Sequence, residues 1–121
     1  MRLHSRPASP FVWIGGAAAA LMALSAPTPA LAVDTVQLTI QNHKFQPDHV
    51  TVPAGERFRI ELTNHDDTVD EFESYDMKFE KIVVPGGKIA VFAGPLHPGT
   101  YKFFDDYHPD TAQGTITAEA K

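Results

Sequence analysis

The sequence contains no cysteine among its 121 residues. This absence excludes disulfides as a source of stability, and it excludes every metal site that depends on a thiolate. A metal ion bound by this chain needs histidine, carboxylate, methionine, tyrosine or backbone ligands. Six histidines and fifteen acidic residues are available for that purpose.

Basic residues are also few. Residues 33–121 keep all fifteen acidic residues but only eight of the ten basic ones, which gives this part of the chain a formal net charge of −7. Nucleic-acid binding needs a basic patch that neutralises phosphates. We therefore expect no nucleic-acid partner.

No apolar run is long enough to be a clear membrane span. The longest, Phe11–Leu24, has 14 residues, whereas a spanning helix needs about 20. It follows Arg2 and Arg6 and precedes Ala30-Leu31-Ala32, which has the small-x-small pattern of a cleavage site. We predict a signal peptide over residues 1–32 that is cleaved after Ala32. An uncleaved anchor is the alternative interpretation.

The remainder, residues 33–121, has the sequence pattern of an all-β domain. Apolar residues recur at every second position in short runs, the period of a strand with one buried face. The runs are Val36-Leu38-Ile40, Phe58-Ile60-Leu62, Ile89-Val91-Ala93 and Tyr101-Phe103. Turn segments such as VPAGE and VPGGK separate them. The pattern predicts an antiparallel Greek-key β-sandwich of seven or eight strands.

One of these runs is followed by polar residues that a core strand does not need for packing. In GTYKFFDDYH the alternation that buries Tyr101 and Phe103 also turns Asp105 inward. A buried carboxylate needs a partner, and His108 is the nearest candidate. The segment from Asp66 to Glu80, with seven carboxylates, is the richest source of a further acidic ligand. In the alternative interpretation Asp105 caps backbone amides and His108 lies in solvent.

The spacing of this segment resembles the ligand loop of cupredoxins, which has the form Y-x-F-x-C-x-x-H-x-x-x-M-x-G. The corresponding residues here are Tyr101, Phe103, Asp105, His108, Ala112 and Gly114. A carboxylate thus replaces the cysteine ligand and an alanine replaces the methionine. The family's second histidine lies in an earlier loop that opens on an asparagine, and about seven residues beyond Asn64 this position falls on Glu71.

The resemblance implies a metal site built from Glu71, Asp105 and His108, and we add His43, which follows the first strand and could approach the same end of the sandwich. For Glu71 the alternative is a solvated strand edge, and for His43 an ordinary surface histidine. Met77 and Glu80 are candidates for a second, exposed metal site.

Within that family the chain resembles the cupredoxin-like proteins of periplasmic ferrous-iron uptake, of the FtrB and EfeO types, through EFES, VPGG and LHPGTYKFFDDYH. The EfeO type uses cysteines, so the FtrB type is preferred. The resemblance implies a periplasmic protein that binds copper and/or iron and has a ferroxidase-type role. Its implied partners are a periplasmic iron-binding protein and a membrane iron permease. A copper carrier without redox turnover and a metal-free interaction module are the alternatives.

Overall fold

The computed structural model describes residues 3–5, 8–11, 15–23 and 34–121. The chain divides into two compact units, residues 1–30 and 31–121. The described residues of the first unit have no regular secondary structure, and those of the second form strands and turns. No helix that is long and apolar enough to cross a membrane occurs in the described ranges. The predicted cleavage point after Ala32 lies outside the described residues.

The second unit is a sandwich of two sheets. Its strands are β1 (Asp34–Gln41), β2 (Lys44–Gln46), β3 (His49–Pro53), β4 (Phe58–Asn64), β5 (Asp70–Ser74), β6 (Phe79–Val83), β7 (Lys88–Ala93), β8 (Gly99–Asp105) and β9 (Gln113–Glu119). The four-stranded sheet has the order β2-β1-β4-β7, and the five-stranded sheet has the order β3-β9-β8-β5-β6. The predicted β-sandwich is confirmed.

Two details differ from the sequence prediction. Residues 34–121 contain nine strands and not seven or eight, because the three-residue β2 is too short to show a period of two. The sheets are mixed, since β1 runs parallel to β4 and β3 runs parallel to β9. The chain passes from β1 and β2 to β3 in the other sheet and then returns beside β1. Alternating burial shows which face of a strand is covered, and it carries no information on the direction of the neighbouring strand.

The core fills the space between the sheets. On β4 every second residue from Phe58 to Asn64 is buried, and on β8 Phe103 and Asp105 are buried. Phe45, Phe72 and Phe103 pack against one another, with ring centroids 4.9 to 5.7 Å apart. This aromatic cluster lies directly beneath the polar end of the sandwich, where β1 turns into β2 and where β5 and β8 bring their carboxylates together.

Candidate metal centre

The turn between β1 and β2 presents His43. Asn42 and His43 both have positive φ, 53° and 56°, as the two central residues of a type I′ hairpin turn require. Glycine is the favoured second residue of such a turn, and a histidine there costs backbone strain. The carboxylate of Asp66 stabilises the turn, since it accepts hydrogen bonds from the amides of Asn42 (2.6 Å) and His43 (3.0 Å). The histidine is therefore held in a fixed place.

Asn64 fixes the loop that carries Asp66. Its buried side chain donates to the carbonyls of Thr68 (2.8 Å), Val83 and Val84, and its Oδ1 accepts from the amide of Asp66 (2.9 Å). The loop that follows β4 is thus folded around one amide side chain. The loop ends at Asp70, where β5 begins.

Asp70 and Asp105 enter the sandwich from neighbouring strands. β5 and β8 are antiparallel, and Phe72 lies opposite Asp105. Asp70 is two residues from Phe72 on β5 and so shares its inward face. Asp70 is 1% exposed and Asp105 is fully buried. The two carboxyl groups lie close enough to affect each other's protonation directly.

His108 closes the cluster from the loop after β8. Its Nδ1 lies 2.9 Å from Asp105 Oδ2 and 3.1 Å from Asp70 Oδ1. Its ring stacks on that of His43, with centroids 3.7 Å apart and planes inclined by 20°. The two carboxylates contact the ring at its Nδ1 atom, and the imidazole of His43 covers one of its faces. We refer to His43, Asp70, Asp105 and His108 as the metal centre.

Asp105 also holds the backbone around it. Its Oδ1 accepts hydrogen bonds from the amides of Glu71 (2.9 Å) and Tyr107 (3.1 Å), while Oδ2 contacts His108. Asp105 therefore caps backbone amides, as in the alternative interpretation from the sequence, and it also pairs with His108, while its role as a metal ligand stays a prediction. Its oxygens are already engaged in the metal-free protein.

The two carboxylates have opposite protonation behaviour. Burial and the neighbouring Asp105 raise the pKa of Asp70 to about 7. Burial alone would raise the pKa of Asp105, but hydrogen bonds from Asp70, from two backbone amides and from His108 outweigh it and lower that pKa. The hydrogen bond to Asp105 raises the pKa of His108. These shifts together favour a charged Asp105 with protons on Asp70 and His108.

Two atoms of the centre lack hydrogen-bond partners among residues 34–121. They are Asp70 Oδ2 and His43 Nδ1, both buried, and the nearest carboxylate oxygen to His43 Nδ1 is Asp66 Oδ2 at 3.5 Å. His43, Asp70 and His108 each place a nitrogen or oxygen within 4.8 Å of the other two. Buried polar atoms without partners are unfavourable, and a metal ion coordinated by these three side chains would satisfy them. The donor set of nitrogen and oxygen fits Cu(II), iron or Zn(II), and it lacks the sulfur that a blue-copper site needs.

The structure brings three of the four sequence-predicted ligands together and places the fourth elsewhere. Asp105, His108 and His43 lie in the metal centre. The side chain of Glu71 points to the opposite face of β5, because alternation from the buried Phe72 turns it outward, where it meets Glu73 and Asp106. Only its backbone amide contacts the centre, through Asp105.

Asp70 is the residue that sequence reasoning missed. The signal was present, since a core position at Phe72 places Asp70 on the same inward face. Counting from Asn64 along the family frame led instead to Glu71. The candidates for a second site also separate: Met77 packs against the core, whereas Glu80 is exposed on the outer face of the five-stranded sheet.

Comparison with known proteins agrees with this architecture. An uncharacterized protein of Rickettsia prowazekii (strain Madrid E) is 49% identical over 81 residues, which cover 67% of this chain and 65% of the relative. The match therefore spans less than two thirds of that relative's length.

Solved structures share the fold at low identity. Auracyanin A, a "blue" copper protein from Chloroflexus aurantiacus, has a TM-score of 0.63 at 14% identity over 73% of this chain and 100% of its own. For the purple cupredoxin from Nitrosopumilus maritimus the values are 0.55 and 20% over 69% and 99%. For the metal-binding domain of the Cu(I)-exporting ATPase CopA from Streptococcus pneumoniae D39 they are 0.64 and 11% over 76% and 91%. The family described as Cupredoxin-like domain matches residues 15–118, and this chain belongs to that family.

Proposed function

We propose that the chain is an exported metal-binding protein that holds copper at the metal centre and assists the oxidation and uptake of ferrous iron in the periplasm. The observation that carries the proposal is the convergence of His43, Asp70 and His108, whose ligand atoms lie within 4.8 Å of one another, at a place where the buried Asp70 Oδ2 has no hydrogen-bond partner within residues 34–121. A cation supplies the partner that a charged Asp70 needs. Copper as that cation is supported by similarity to proteins whose names mention it.

The donor set decides which chemistry the centre favours. Imidazole nitrogens and carboxylate oxygens suit Cu(II) better than Cu(I), which prefers sulfur. Cu(II) held by these residues would supply a one-electron acceptor. Ferrous iron, the substrate, would give up one electron and become ferric while Cu(II) becomes Cu(I), and dioxygen or another external oxidant would be needed to restore Cu(II) for turnover. Oxygen ligands favour the ferric product. The buried Asp70 and Asp105 orient His108 and supply negative charge once a metal ion has displaced the protons from Asp70 and His108, while His43 covers the His108 ring.

The proposed partners follow from the resemblance to ferrous-iron uptake proteins. Ferric iron would pass to a periplasmic iron-binding protein and then to a membrane iron permease. A copper carrier without redox turnover is the second candidate, because the similar domain from S. pneumoniae belongs to a copper-exporting ATPase.

Copper titration tests the centre, and ferrous-iron consumption separates the two candidates. His108→Ala should weaken Cu(II) binding at least about ten-fold, since it removes an imidazole ligand. His97→Ala, which alters an exposed histidine outside the centre, is the matched control. The copper-loaded protein should consume ferrous iron faster than the metal-free protein. Copper binding without such consumption would support the carrier, and equal Cu(II) affinity in both variants would refute the centre.

A further inference from the structure

The exposed large apolar side chains of residues 34–121 are concentrated on one face of the sandwich. Six of them are 41% to 72% exposed, and all except Phe92 lie on the outer side of the five-stranded sheet. These five are Val69, Tyr75, Ile82, Val84 and Tyr107. We call them the outer apolar face. Single exposed apolar residues are normal on a protein surface, whereas a contiguous group is typical of a surface that binds another molecule.

Strand pairing makes the first part of this group contiguous. Asp70 on β5 lies directly opposite Val83 on β6, and both residues are buried in the core. Because successive side chains of a strand point to opposite faces, the neighbours of this pair point outward. They are Val69, Glu71, Ile82 and Val84, with Glu71 directly opposite Ile82. Three apolar side chains therefore surround one glutamate at this end of the sheet.

Two tyrosines extend the outer apolar face across β8. Burial and, after it, a hydrogen bond to the Glu71 carboxylate raise the pKa of Tyr107, which places this ring beside the three aliphatic side chains. Tyr75 packs against Phe104 of β8, with ring centroids 5.1 Å apart. On the opposite sheet Phe92 is covered by Arg57, whose guanidinium carbon lies 4.7 Å from the ring centroid.

Carboxylates lie between these apolar side chains and determine the charge that a partner needs. Glu73 and Glu80 are directly opposite on β5 and β6, and Asp106 lies close to Glu71 and Glu73. Within residues 34–121, no lysine, arginine or histidine forms an ion pair with any of these four acids. The charge of Glu73 is the main cause that raises the pKa of Tyr75. The outer apolar face is thus strongly negative.

We propose that the outer apolar face is the docking surface for a partner protein that presents apolar side chains surrounded by lysine and arginine. Apolar contacts would remove the exposed side chains from water, and opposite charges would orient the partner and speed its association. A second copy of this chain does not fit. An isologous dimer would place this face against itself and bring the carboxylates of both copies together.

The docking surface borders the metal centre. Val69 precedes Asp70 in the chain, and Tyr107 precedes His108. A docked partner would therefore lie beside the metal centre, and only this consequence rests on the proposed function. The surface itself contains none of the four residues of that centre. Docking can therefore be measured in a protein whose metal centre has been altered.

Photo-crosslinking identifies the partner. The photoreactive amino acid p-benzoylphenylalanine is placed at position 82 of the full chain, which is then irradiated in a cell-envelope extract of the organism that makes the protein. The matched control carries it at position 37, an exposed position on the outer face of the four-stranded sheet. We expect one protein, identified by mass spectrometry, to be captured from position 82 and not from position 37. It should carry a basic surface.

The affinity of the identified protein, once purified, completes the test. Ile82→Ser combined with Val84→Ser should weaken its binding at least about ten-fold, and so should Glu73→Lys combined with Glu80→Lys. Asp34→Lys combined with Glu119→Lys adds the same charge at exposed positions outside the surface, and this control should stay within about three-fold of the wild type. All six substitutions are at exposed positions, and thermal unfolding checks that each variant is folded.

Several results would overturn the proposal. They are equal capture from positions 82 and 37, capture of a second copy of the chain, capture of an acidic protein, and equal affinity in the two test variants and the charge control. His108→Ala should bind the partner within about two-fold of the wild type. Loss of copper binding with intact docking would refute the metal centre alone, so the two proposals fail separately.

Discussion

At the scale of single residues, the metal centre shows how position decides the chemistry of two identical side chains. Asp105 receives two backbone amides and His108, so its charge is compensated. Asp70 is equally buried, but in its charged form one of its oxygens would have no partner within residues 34–121. The metal-free protein meets this deficit with protons on Asp70 and His108. A metal ion that binds here must therefore displace protons.

The stability of the metal-free protein should fall as pH rises from about 5 to about 8. The pKa of Asp70 is raised to about 7 in the folded chain, so folding favours its neutral form, and this stabilisation is lost as pH rises through that value. His108, whose folded pKa is also raised, loses its stabilising charge in the same direction. We expect the unfolding free energy to fall by on the order of 2 kcal/mol over this range.

Denaturant unfolding at several pH values measures this slope. The depressed pKa of Asp105 acts only at lower pH, since its stabilisation is present above the ordinary aspartate range and is lost in acid. Asp70→Asn should flatten the curve between pH about 5 and about 8, because an amide cannot titrate. Asp67→Asn, in the exposed part of the preceding loop, should leave the slope unchanged. Stability that rises over this range in the wild type would contradict the assignment.

At the scale of strands, periodicity predicted which side chains point inward but not where each strand begins. The alternating residues of β1, β4, β7 and β8 were recognised from the sequence, and the inward direction of Asp105 came from that rule. The residue at which β5 begins depends on how the loop from Asn64 to Asp70 folds. Hydrogen bonds to the side chain of Asn64 determine that fold. A one-residue difference there exchanges Asp70 for Glu71. Spacing alone could not resolve that difference.

The pairing of β8 with β9 depends on Gly114, which is the last residue of the ligand-loop pattern shared with cupredoxins. Gly114 lies opposite Phe103, whose ring covers it, and an added Cβ would also lie 2.8 Å from the carbonyl oxygen of Asp48. Gly114→Ala should therefore destabilise the fold by about 1–3 kcal/mol through overpacking. Gln113→Ala, at the exposed neighbouring position, should cost less than about 1 kcal/mol. Thermal unfolding compares the two variants. Equal losses of stability would show that the Phe103 ring moves aside at little energetic cost.

At the scale of the whole molecule, the sandwich of a copper-protein family is combined with a donor set that contains no sulfur. The four side chains of the metal centre come from the β1–β2 turn, the loop after β8 and the two strands β5 and β8, yet they converge at one end of the core. Such convergence is a property of the fold, and it should persist when the ligands are exchanged. The colour of the copper-loaded protein reports on both the fold and the ligands.

The wild type loaded with Cu(II) should be almost colourless, because carboxylates and imidazoles give only weak d–d absorption and the intense blue of cupredoxins requires a thiolate. Asp105→Cys combined with Asp70→His should produce strong visible absorption, since it places a thiolate and an imidazole beside His108. Asp105→Cys combined with Glu71→His is the matched control, and it should absorb far less, because position 71 faces the outer surface. Absorption and electron spin resonance spectra of the two variants decide between the positions. If the control were the more intensely coloured, Glu71 and not Asp70 would occupy the family's histidine position.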